Sequence, residues 1–121
     1  MEKDYSTWIN ESIDKLFHAM EQRVSDEDIT RIRSAYEFAS EAHKEQRRKT
    51  EEPYIVHPIA VARIVAEELE LGTNPVIAAF LHDVVEDTPC TLEDIRNLYG
   101  DDVAFLVGVV TCLLYTSPSP R

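Results

Sequence analysis

Pro75-Val76-Ile77-Ala78-Ala79-Phe80-Leu81-His82-Asp83-Val84-Val85-Glu86-Asp87, closed by Thr88-Pro89, is the stretch on which the fold is decided. Its apolar spacing is helical, and the Thr-Pro step stops the helix. With His82 at zero and about 100° per residue, Glu86 falls at about 40°, Asp83 at about 100° and Asp87 at about 140°. Phe80, Val84, Ile77, Leu81 and Val85 fill the arc from about 160° to about 300°. Three carboxylates and an imidazole therefore share one arc while the opposite arc enters a core. The carboxylates alone fit an ordinary acidic solvent face. His82 beside Asp83 adds a second meaning, because an imidazole next to a carboxylate makes a mixed nitrogen–oxygen metal site.

The same helical spacing extends outward from this stretch. Upstream, Thr73 and Pro75 read as a cap and a first-turn proline. Before them Pro58 suits the first position of a helix that Gly72 ends, with Val61, Ile64, Val65 and Leu69 on its buried face. Residues 46–57 read as a charged loop ending in a short extended piece. Ile29, Ile32, Tyr36, Ala39 and His43 mark a helix to about residue 45, entered through Ser25 with Asp28 in its first turn. Ile9, Ile13, Leu16, Phe17, Met20 and Val24 predict another over about 7–23. Downstream, Thr91 and Asp94 cap a short helix closed by Gly100, and a further apolar segment begins near Asp102. With three glycines, no repeat and no strand period, the fold class is all-α.

The organisation expected is an N-terminal helix at 1–24, a domain over 25–111 and a tail at 112–121. That tail, Cys-Leu-Leu-Tyr-Thr-Ser-Pro-Ser-Pro-Arg, turns Ser/Pro-rich and implies no compact structure of its own. It also resembles a translated sequencing or cloning adaptor, a reading under which the natural reading frame is expected to end near Thr111; the alternative is an ordinary disordered C-terminus.

Charge narrows the function classes. The 121 residues carry 12 Lys+Arg against 23 Asp+Glu, a formal −11. This argues against coating a nucleic acid or docking on anionic lipid, both of which need a basic surface. Yet Lys44, Arg47, Arg48 and Lys49 crowd four bases into six positions, a patch suited either to a solvated loop or to a small anion. Cys90 and Cys112 form no C-x-x-C pair, so a reducing cytoplasmic setting is expected. The longest apolar run, Val103–Tyr115, falls short of the about 20 residues a bilayer span requires.

His57, in Tyr54-Ile55-Val56-His57-Pro58, stands where the loop hands over to a helix. A lone histidine there is commonly a capping or core residue. Its nearness to the basic cluster and the acidic His82-Asp83 face makes it a candidate third ligand.

Together, Ala42-His43, Arg47-Arg48-Lys49, Glu52-Pro53-Tyr54-Ile55-Val56-His57-Pro58 and Leu81-His82-Asp83-Val84-Val85-Glu86-Asp87-Thr88 resemble the N-terminal hydrolase part of the RelA/SpoT family. These enzymes make or degrade the alarmones (p)ppGpp in the stringent response. The resemblance runs from about residue 30 to Thr111. It implies a helical HD-superfamily (HD/PDEase-like) domain, incomplete at its C-terminus, from a bifunctional synthetase/hydrolase. It implies that His57, His82 and Asp83 are ligands of one divalent metal, usually Mn²⁺. Glu86 and Asp87 match the acidic pair that separates hydrolases from their inactive relatives. Arg48, Lys49 and Thr50 match the loop that holds the guanine nucleotide. Glu51 is a departure, since the family commonly has Gly there. The family's fourth metal ligand, an Asp in an Asp-Arg-Leu-His-Asn-type motif, is absent from this sequence, as is the synthetase domain. The expectation is therefore an incomplete metal site and apolar surface exposed where later helices would pack. The products implied are GDP or GTP plus pyrophosphate. Another HD-type nucleotide phosphohydrolase and a non-catalytic helical interaction module are the alternatives; the oligomeric state is left open.

Overall fold

A computed structural model of the chain describes residues 5–44 and 53–116, with side chains through Val109. Every element among the described residues is a helix: α1 (Ser6–Glu21), α2 (Asp26–His43), α3 (Val56–Arg63) running on as a wider π turn (Ile64–Glu68), α4 (Thr73–Asp87), α5 (Leu92–Tyr99) and α6 (Asp101–Thr116).

Local chemistry sets several of these boundaries. The Ser25 hydroxyl accepts from the Asp28 N–H at 3.2 Å, and Asp26, Glu27 and Asp28 place negative charge at the positive end of α2. Thr91 and Asp94 form a reciprocal capping box on α5. Gly100 ends α5 at φ 104°, ψ 167°, a conformation open essentially to glycine alone.

α4 is the axis of the fold, packed against α2, α3 and α6. Every residue from Val76 to Val84 is buried. A helix covered all round must be apolar or internally satisfied on each face, so His82 and Asp83 are not on a solvent face. They share an arc with Glu86 and Asp87 as the wheel requires, but α3 covers the N-terminal part of that arc. Only Glu86 and Asp87, at the helix end, reach solvent.

The α3 segment departs most from expectation. It begins at Val56, which puts His57 and Pro58 inside its first turn, where a missing N–H costs nothing. Its buried line is Ile55, Ile59, Ala62 and Ala66. Val61 and Val65 are partly buried, while Ile64 and Leu69 are 45% and 58% exposed. Ala62 and Ala66 on this line allow close approach, and Ile64 and Leu69 fall off it. In the π turn Leu69 N–H reaches the Ile64 carbonyl at 2.9 Å, and the reversal falls on Glu70, at φ 55°. Gly72 is therefore not the left-handed stop; at φ −90° it is the extended residue that opens α4, with Thr73 already helical. Arg23, at the end of α1, closes the π turn by donating to the carbonyls of Ala66 and Leu71.

Beyond Thr111 the helical path is uninterrupted to Thr116, because Leu and Tyr continue a helix and the first proline comes at 118. Leu92, Leu98 and Phe105 present exposed apolar surface on α5 and α6. Among the described residues, no helix is long and apolar enough to cross a membrane.

Candidate metal centre

The α3–α4 contact brings His57 and the His82-Asp83 pair together. Their ligand atoms all lie within 4.8 Å of one another. His57 Nε2 is 3.5 Å from Asp83 Oδ2, and His82 Nε2 is 3.2 Å from Asp83 Oδ1. The two imidazoles meet edge-on at 5.7 Å between centroids.

Burial and polarity make this cluster chemically informative. His82 is fully buried and Asp83 nearly so. His82 Nδ1 donates to the Ala79 carbonyl at 2.8 Å, one turn back along α4. The Nε2 lone pair is thereby turned toward Asp83 and His57. Among the described residues, neither His82 Nε2 nor Asp83 Oδ2 makes a hydrogen bond; the close His82–Asp83 approach lacks the necessary direction. Two buried acceptors left this way are costly unless a cation takes them. The electrostatics agree: burial pushes the Asp83 carboxyl above its ordinary value of 3.8, His82 and His57 pull it down, and Asp87 and Glu86 push it up again. Two nitrogens and a carboxylate oxygen fit a borderline divalent ion, and the carbonyl behind His82 is the outer support such a ligand needs.

Glu86 and Asp87 continue from this cluster to the exposed end of α4. There the Tyr54 hydroxyl donates to Asp87 Oδ2. Tyr54 in turn stacks on His43, the last residue of α2, with centroids 4.7 Å apart and planes at 17°. Periodicity places His43 on the line that marks α2 but does not single out Tyr54, whose only sequence signal is membership of the motif around His57. Arg48, Lys49 and Thr50 lie outside the described residues.

Residues 35–117 match the HD-domain family. The chain belongs to that family. It is 45% identical over 102 residues to the bifunctional (p)ppGpp synthase/hydrolase SpoT of Escherichia coli (strain K12), covering 81% of this chain and 14% of the relative. It is 46% identical over 103 residues to the guanosine-3′,5′-bis(diphosphate) 3′-pyrophosphohydrolase of Aquifex aeolicus, covering 85% and 14%. A GTP pyrophosphokinase of Myxococcus xanthus is 43% identical over 94 residues, 78% of this chain and 12% of that one. Among solved structures, a metazoan orthologue of SpoT described as hydrolysing ppGpp superposes with a TM-score of 0.62 at 40% identity, over 66% of this chain and 47% of that one. The chain thus spans about one-seventh of these bacterial relatives' length. The RelA/SpoT resemblance and the all-α HD fold both agree with these matches.

Proposed function

We propose that this HD domain belongs to a cytoplasmic hydrolase that removes the 3′-diphosphate of (p)ppGpp, yielding GDP or GTP and pyrophosphate. The observation that carries the reading is the convergence of His57, His82 and Asp83 on two buried, unsatisfied ligand atoms. The names of the relatives do not separate degradation from synthesis, since proteins named for each match the same region. Glu86 and Asp87, beside the cluster, support hydrolysis.

His57, His82 and Asp83 would hold one divalent ion, Mn²⁺ in this proposal. Such an ion supplies Lewis acidity to a phosphoryl oxygen and to a water molecule when bound. The protein's own groups supply the rest. Glu86 or Asp87 takes the proton from the attacking water or holds that water in line, and the 3′-oxygen leaves as the nucleotide's hydroxyl once it gains a proton. Carboxylates repel a polyanion, so Arg48 and Lys49, with Thr50, are assigned to the nucleotide and its phosphates.

The test is pyrophosphate release from guanosine tetraphosphate by the full-length protein that carries this sequence. Turnover that needs manganese, vanishes with bound metal in His82→Ala, and vanishes with metal retained in Glu86→Gln is the expected result. Full activity in His82→Ala overturns the site. Turnover of other nucleotides but not of the tetraphosphate identifies a different HD-type phosphohydrolase.

A further inference from the structure

Asp87 is poorly placed to hold itself still. It is the last residue of α4, exposed, at the end of a helix whose dipole disfavours negative charge, with Asp83 one turn behind and Glu86 adjacent. An exposed carboxylate in that field samples several rotamers unless a donor from another element selects one. The structure supplies one such donor among the described residues. The Tyr54 hydroxyl, from the turn before α3, donates to Asp87 Oδ2.

The tyrosine is itself braced. Its half-buried ring lies nearly parallel to the imidazole of His43, at 4.7 Å, and His43 is 1% exposed at the end of α2. One face of the phenol is thus set by a buried residue of one helix while its hydroxyl reaches the last carboxylate of another. Tyrosine suits the task because it has few rotatable bonds and a donor at the tip of a rigid body. The backbone fixes its origin too, since the Tyr54 carbonyl accepts from the His57 N–H at 3.3 Å. That bond ties the turn carrying Tyr54 to the first turn of α3, which carries His57.

We propose that Tyr54 is a positioning residue, its hydroxyl and its stack on His43 together holding the Asp87 carboxylate in the orientation hydrolysis requires. The contact is a property of the fold; its effect on turnover rests on the hydrolase reading above. Tyr54→Phe keeps the ring and its stack and deletes only the donor. In the full-length protein it is expected to lower kcat about tenfold or more, the scale of a misplaced catalytic group, with KM and bound manganese unchanged. Because Tyr54 acts through Asp87, the double variant Tyr54→Phe/Asp87→Asn is expected to be no slower than Asp87→Asn alone. An unchanged kcat in Tyr54→Phe overturns the proposal. So does a raised KM at constant kcat, which places the hydroxyl on substrate, and so does a multiplicative loss in the double variant. A second measurement needs no activity. In the metal-free chain carrying ¹³Cζ-labelled tyrosine, the Tyr54 resonance, recognised by its loss in Tyr54→Phe, is expected to shift in Asp87→Asn; an unmoved resonance removes the contact itself. Should the wild type release no pyrophosphate while that resonance shifts, the hydrolase reading fails and the Tyr54–Asp87 contact stands.

Discussion

His82 Nδ1 lies 2.8 Å from the carbonyl oxygen of Ala79, within α4. A carbonyl only accepts, so the ring proton is on Nδ1 and the Nε2 lone pair faces Asp83 and His57. The backbone of the helix that carries the ligand thus selects the tautomer a metal requires.

Removing one ligand at low cost to the fold isolates metal binding. The His57 side chain is 38% exposed, so His57→Ala leaves little cavity. Calorimetric titration with Mn²⁺ should show affinity falling beyond the about 10–100-fold typical of outer-shell changes. The melting temperature of the metal-free protein should stay within a few degrees.

The metal-free protein should become less stable as pH rises from Asp83's unfolded-state value, 3.8, through its raised folded-state value. In that window the folded chain binds more protons than the unfolded one, so stability falls with pH. Asp83→Asn removes this contribution. Thermal melts in chelator across mildly acidic to neutral pH should show the variant gaining on the wild type as pH rises, and excess manganese should reverse the order.

The capping box makes α5 sensitive to one hydroxyl. This helix buries only Ile95 fully, so the cap carries much of its local stability. Thr91→Ala should cost about 1 kcal/mol. Amide exchange should concentrate the loss in Leu92–Tyr99, and adding Asp94→Ala should cost less than it does alone.

Two glycines should respond in opposite senses. Gly100, at φ 104°, occupies a region that side chains avoid, and Gly100→Ala should destabilise by about 1–3 kcal/mol. Gly72 sits at φ −90° with nothing within 4 Å of an added Cβ. Gly72→Ser should therefore give α4 a side-chain cap and a few tenths of a kcal/mol. Denaturant midpoints distinguish the two.

Spacing in the sequence determined the helices, the Ser25 and Thr91 caps, the Gly100 stop and the shared arc of His82, Asp83, Glu86 and Asp87, because each depends on residues within a turn or two of one another. The place of His57 at a loop-to-helix junction offered it as their partner, and motif resemblance implied its role as a ligand. Only the tertiary structure decided how that arc is divided. Packing α4 on three sides buries His82 and Asp83 against α3 and leaves Glu86 and Asp87 at the solvent end. The same packing set Ile59, Ala62 and Ala66 as the inner face of α3 and turned Ile64 and Leu69 outward, because which line of a largely apolar segment meets its neighbours is decided by those neighbours. It also brought Tyr54 between His43 and Asp87, a contact among three elements that no periodicity within one helix can encode.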